Sequence, residues 1–111
     1  MTASNVRRGR TLEYTVREKL KANGYVVFRC AGSRPVDLVA FKDKRVLLVE
    51  CKAGLNPYLS PKQSNHILEI SKNEATPILV VRRRHKGIRW FKMNEHRVEE
   101  IKLKDLNSGN I

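Results

Sequence analysis

The sequence predicts an α/β layer fold, with a mixed central β-sheet flanked by helices in the order αβββαββ. Three observations carry this. In the first block Leu12, Val16 and Leu20 recur at i, i+4 and i+8, the spacing of an amphipathic helix. A second helix start, Ser60-Pro61, stands in the middle of the chain. Around it lie short runs rich in Val, Ile, Phe and Tyr, bounded by turn residues.

Taken in order, the block "RRGRTLEYTVREKLKANGY" carries the first helix, with Arg7, Arg8 and Arg10 ahead of it and the left-handed-tolerant pair Asn23-Gly24 ending it. "YVVFRC" reads as a strand and "AGSRP" as a loop. "VDLVAFKDKRVLLVECKAG" reads as a hairpin centred on Asp43-Lys44. "AGLNPYLS" is a loop, after which Ser60 as N-cap and Pro61 at the first helical position open the second helix, with Ile67 and Ile70 facing inward. "PILVVRR" is a buried strand, "RRRHKG" a basic turn and "IRWFKM" an edge strand. The last eighteen residues have no clear pattern. The expected organisation is one domain over residues 1–111, with 1–9 a mobile basic arm and 105–111 a frayed tail.

Charge narrows the function. Lys and Arg number 23 against 11 Asp and Glu, a net charge of +12. Ion-pair networks on a thermophile-like surface would need near balance, so the excess points instead to a polyanionic partner, nucleic acid. No apolar run approaches the roughly 20 residues of a membrane span, and the N-terminus lacks the apolar core of a secretory signal. Cys30 and Cys51 have no metal-ligand spacing and sit in apolar runs, as buried thiols do in a reducing cytoplasm. His66, His85 and His96 form no ligand spacing either.

The hairpin holds the anomaly. A symmetric turn at Asp43-Lys44 pairs positions whose numbers sum to 87, which sets Asp37 directly opposite Glu50, with Cβ atoms about 5 Å apart. Glu50 and Lys52 then share a face. Opposed carboxylates in apolar company repel one another and are costly to bury. A shared proton, a lysine or a divalent metal would each relieve them; Mg²⁺ and Mn²⁺ take hard oxygen ligands and often only one or two protein carboxylates. A plain salt bridge to Lys52 is the competing reading. Glu13 projects within roughly 20° of Leu20, at the edge of the buried helical stripe, from which it reaches the sheet, or else meets solvent or Arg17.

These residues resemble the PD-(D/E)xK nuclease core, an acid opening one strand and E-x-K on the next. The wider set, "RGRTLEYTVREKL", "GYVVFRCAGSRPVDLVAF", "VLLVECKAG", "YLSPKQ" and "PILVVRRRHKGIRWF", is similar to archaeal-type Holliday junction resolvases, virus-encoded ones included, over residues 7 to 93. Val36 stands where the motif has Pro. The resemblance implies a restriction-endonuclease-like core and a Mg²⁺-dependent endonuclease, with Mn²⁺ able to substitute. It implies that the enzyme cuts four-way DNA junctions in pairs as a homodimer. By position Glu13, Asp37 and Glu50 match the family's metal-binding acids and Lys52 its catalytic lysine. Ser33 matches a serine beside the site and Gln63 a glutamine opening the second helix.

The cations expected on DNA are Arg7, Arg8, Arg10, Arg29, Arg34, Lys62, Arg82, Arg83, Arg84 and Lys86, each on its own an ordinary surface residue. Two-fold symmetry of the junction calls for a C₂ dimer, with Trp90 and Phe91 available for an interface or for the core. Three other readings are a nuclease for other branched or nicked DNA, a non-catalytic basic DNA-binding protein, and an RNA binder. Aromatic residues at 6% give the last of these little stacking surface.

Overall fold

The computed structural model describes residues 3–55, 57–72, 74–95 and 97–108, with the side chains of residues 3–9, Ser33 and Ser108 outside the description. Helix α1 (Ala3–Ala22) is followed by β1 (Val26–Arg29), a 3₁₀ turn (Ala31–Ser33), β2 (Leu38–Lys42), β3 (Arg45–Gly54), α2 (Pro61–Ile70), β4 (Ala75–Arg83), β5 (Ile88–Met93), β6 (Val98–Ile101) and α3 (Leu103–Ser108). The strands form one sheet in the order β1-β2-β3-β4-β5-β6. All neighbours are antiparallel except β3 and β4, which run parallel because α2 carries the chain back across the sheet.

Leu12, Val16 and Leu20 of α1 are fully buried against Leu38, Ala40, Leu47, Val49, Ile78 and Val80. The helix ends as Asn23-Gly24 predicts. Gly24 adopts φ 89°, its N–H bonds to the Lys21 carbonyl and the Tyr25 N–H bonds to the Leu20 carbonyl, both at 3.0 Å. The opposite face carries a smaller cluster, Val36, Leu48, Ile67 and Met93, covered by α2. The two helices therefore divide the faces of the sheet as the alternation along β2 and β3 requires. The hairpin pairs Lys42 with Arg45 and Leu38 with Val49, the predicted register, and Asp43 supplies the left-handed turn residue at φ 54°. Both cysteines are free thiols.

Three expectations need correction. Residues 3–9 continue α1, so Arg7 and Arg8 stand on a helix rather than in an arm ahead of it; Gly9 is tolerated there at about 1 kcal/mol, too little to stop a helix whose later turns are packed. The element order extends past αβββαββ, because β6 pairs outside β5 and makes β5 an inner strand. Of the two uses open to Trp90, the structure shows the core: it is buried in the main cluster. The tail from 105 onward is helical as far as Ser108, and residues 109–111 lie outside the described residues.

That last helix is pinned. Leu106 is fully buried, and its carbonyl accepts from the Tyr25 hydroxyl and from Arg45 Nη1, each at 2.8 Å. Leu106→Ala should cost about 2–5 kcal/mol, as a buried leucine truncation does. The urea midpoint of the variant against the parent measures this; an unchanged midpoint would mean that α3 adds nothing to the fold.

Candidate active site

The site lies at one end of the sheet, where strands of unequal length meet. β2 starts at Leu38, opposite Val49, whereas β3 continues to Gly54 beside β4. Residues 50–54 of β3 therefore have β4 on one side and no strand partner on the other. Asp37 fills the start of that gap. Its Oδ2 accepts the Cys51 backbone N–H at 2.8 Å, and its own carbonyl accepts the Cys30 N–H at 2.9 Å. A strand N–H points in the plane of the sheet, so the Asp37 carboxylate lies along the sheet edge. Val36 anchors the approach with a fully buried side chain in the second cluster, which gives the departure from Pro a packing role.

Asp37 and Glu50 are 7% and 6% exposed, which is rare for carboxylates. The two side chains hydrogen-bond to each other. Burial pushes the Glu50 carboxyl up to about 9; the bond to Asp37 and the Asp37 charge add to this, while Lys52 opposes it. No ion pair among the described residues joins Lys52 to either acid. The competing salt-bridge reading therefore has no contact behind it.

Glu13 approaches from α1 at 9% exposure. Burial and then the Asp37 charge raise its pKa, while Arg29 holds it down through a contact of 3.4 Å between Nε and Oε1. It is neither a solvent flank nor paired with Arg17. The Cys51 thiol is pushed up first by burial; the Asp37, Glu13 and Glu50 charges add to this and the Lys52 ammonium opposes it. These groups do not form a ready-made cage, and among the described residues no three His, Cys, Asp or Glu side chains are gathered as a metal site. Asp37 and Glu50 are brought together; Glu13 lies within range of the Asp37 charge and is held by Arg29. A hard cation that keeps most of its waters needs no more than such a pair, and an acid pair holding a proton at neutral pH is relieved by one. The donor set fits Mg²⁺ or Mn²⁺.

The cations gather at the same end. Arg29 closes β1, Arg34 follows the 3₁₀ turn, Lys62 stands in the first turn of α2, Arg82 and Arg83 end β4 opposite Ala53 and Gly54, and Arg84 and Lys86 lie in the turn to β5. Arg10, Arg34, Lys62, Arg83, Arg84 and Lys86 are exposed, and Arg82 is half-buried. The side chains of Arg7, Arg8 and Ser33 lie outside the described residues. Two residues do more than their surface positions suggest. Arg29 pairs with Glu13, a link that joins two elements and leaves no local signal. Gln63 completes a capping box with Ser60: its N–H donates to Ser60 Oγ at 3.1 Å and its Oε1 accepts the Ser60 N–H at 3.3 Å. The S-x-x-Q spacing of "SPKQ" carries that signal in the sequence.

The raised carboxyls have a consequence for metal-free protein. Glu50 binds its proton more tightly folded than unfolded. Its contribution to stability is complete below about 4.5 and is lost as pH rises toward about 9. In chelator the melting temperature should fall across that window, and Glu50→Gln should flatten the fall. A melting temperature that rises with pH over the same range in both proteins would contradict the buried pair.

Known proteins share this plan. The sequence model of the family described as archaeal Holliday junction resolvase (Hjc) matches residues 4–107. Crossover junction endodeoxyribonuclease Hjc of Methanocaldococcus jannaschii is 41% identical over 48 residues, 43% of this chain and 36% of that protein, so the aligned stretch spans about a third of the relative's length. The 1.6 Å structure of Archaeoglobus fulgidus Hjc, a Holliday junction resolvase from a hyperthermophile, superposes with a TM-score of 0.67 at 20% identity, over 85% of this chain and 83% of that one, a likeness of fold. With the family match covering nearly the whole sequence, the chain belongs to the archaeal Holliday junction resolvase (Hjc) family.

Proposed function

We propose that the protein is a divalent-metal-dependent endonuclease that resolves four-way DNA junctions by paired, symmetric phosphodiester cuts. The observation that carries this reading is the buried Asp37–Glu50 pair at the open end of β3, with Lys52 two residues on and a rim of cations around it. A protein that only bound DNA would gain nothing from two acids facing phosphate.

Asp37 and Glu50 would hold Mg²⁺ or Mn²⁺, with Glu13 reaching it through water. A divalent cation in such a place lowers the pKa of a bound water and draws charge from the phosphoryl group. The chain's own residues do the rest. The Cys51 N–H fixes the Asp37 carboxylate, so it is oriented before substrate arrives. The Lys52 ammonium orients the attacking water or offsets charge on the phosphoryl oxygens in the transition state. Arg29 offsets the Glu13 charge that would otherwise repel the backbone. Ser33 and Gln63 lie on the approach, and Arg7, Arg8, Arg10, Arg34, Lys62, Arg82, Arg83, Arg84 and Lys86 contact phosphates without reading sequence. One chain carries one such site, so matched cuts call for a C₂ homodimer acting on DNA inside the cell.

The test is a labelled synthetic four-way junction and a linear duplex of the same sequence, each incubated with and without Mg²⁺. Symmetric cuts in the junction are expected, dependent on metal, while the duplex stays whole. Asp37→Ala and Glu50→Ala should each lose cutting by at least about a thousandfold and keep junction binding, and the parent protein should sediment as a dimer. Full activity in either variant would refute the site; equal cutting of the duplex would leave a nuclease but remove the junction.

A further inference from the structure

The loop between β3 and α2 presents an apolar surface where the rest of the site end presents charge. Leu55 and Tyr58 are 66% and 69% exposed, among the most exposed large apolar side chains of the described residues. Their neighbours are cationic: Lys52 precedes them on β3, Lys62 follows on α2, and Arg84 bonds directly to the start of the loop, its N–H on the Gly54 carbonyl at 2.9 Å. Such a patch gains nothing from phosphate oxygens, and an exposed apolar patch rimmed by polar groups marks a contact. The described ends of the loop are anchored. Gly54 ties one end to the β4–β5 turn, the Ser60–Gln63 capping box ties the other, and Leu59 packs into the second cluster while Tyr58 beside it points to solvent. An aromatic ring already turned to solvent is open to a flat apolar face.

Continuous duplex offers no bare base-pair face, because every pair is stacked on both sides. A branch point offers several, at the ends of its arms. We infer that Tyr58, with Leu55 of the same loop contributing, stacks on an exposed base-pair face at the branch point and so selects branched over continuous DNA. The cationic surround argues for this occupant over a protein partner, since the patch sits inside the phosphate-binding rim. The inference rests on the proposed junction-directed function and adds a source for its selectivity.

The experiment measures dissociation constants, with chelator present, for a four-way junction carrying 2-aminopurine at its branch point and for the matching duplex. The parent, Tyr58→Ala, Tyr58→Phe and Leu55→Ala proteins are compared. The parent should prefer the junction and change the 2-aminopurine fluorescence. Tyr58→Ala should lose about tenfold of that preference, as removal of one base–aromatic stack does, and should lose the fluorescence change. Tyr58→Phe should keep both, and Leu55→Ala should lose part of the preference. A preference and fluorescence change that survive in Tyr58→Ala would overturn the inference alone. Loss in Tyr58→Phe equal to that in Tyr58→Ala would assign the contact to the hydroxyl and overturn stacking. A parent protein with no preference would overturn the junction reading and the inference together.

Discussion

Two carboxylates share a space at the open end of a β-strand where neither can shed its charge into water. Asp37 is drawn in because the Cys51 N–H, left without a strand partner when β2 stops at Leu38, must find an acceptor. Glu50 is the residue just past the last β2–β3 pair, buried on the face of β3 that alternation gives it together with Leu48. Each satisfies a local demand, and together they produce a pair that is comfortable only with a proton or a cation between them. The raised Glu50 carboxyl expresses that conflict.

The scaffold makes the conflict bearable by being rigid around it. Helix α1 buries Leu12, Val16 and Leu20 on one face and places Glu13, one residue beyond Leu12, within range of the Asp37 charge. The second cluster fixes Val36, the residue that delivers Asp37, and Leu59 of the loop that leaves β3. The parallel pairing of β3 with β4 carries both strands to the same end, so the β4–β5 turn with its arginines rises beside the acids. Acids set back in the sheet and bases on the rim give a phosphate diester a cationic approach to an acidic centre. That arrangement suits hydrolysis better than binding alone.

Much of this was legible in the sequence because it follows from local period and register. The symmetric turn at Asp43-Lys44 fixed the register as far as Leu38 and Val49, the neighbours of Asp37 and Glu50, and "SPK" marked the start of α2. What escaped depends on contacts between distant segments. Strand β6, "VEEI", has no apolar alternation and is mostly exposed; it exists because β5 offers it an edge, with Arg89 bonding Glu100 across the pair. Helix α3 has six residues, too few to stand alone, and is held by the Tyr25 and Arg45 bonds to Leu106, residues about 81 and 61 positions away. The pairing of Arg29 with Glu13 likewise joins β1 to α1 and could not be read from either segment. Residues 3–9 read as an arm because their charges obscure helical period, yet continuation of a packed helix is enough to order their backbone.

The central claim is that the Asp37–Glu50 pair is a cation site rather than a proton-sharing structural pair. Crystals soaked in Mn²⁺ and measured at the manganese absorption edge test it most directly. The account predicts one anomalous peak per chain, bonded to oxygens of both carboxylates, with Lys52 close by. A structure at neutral pH with no peak there, and with the two carboxyls still hydrogen-bonded to each other, would contradict it.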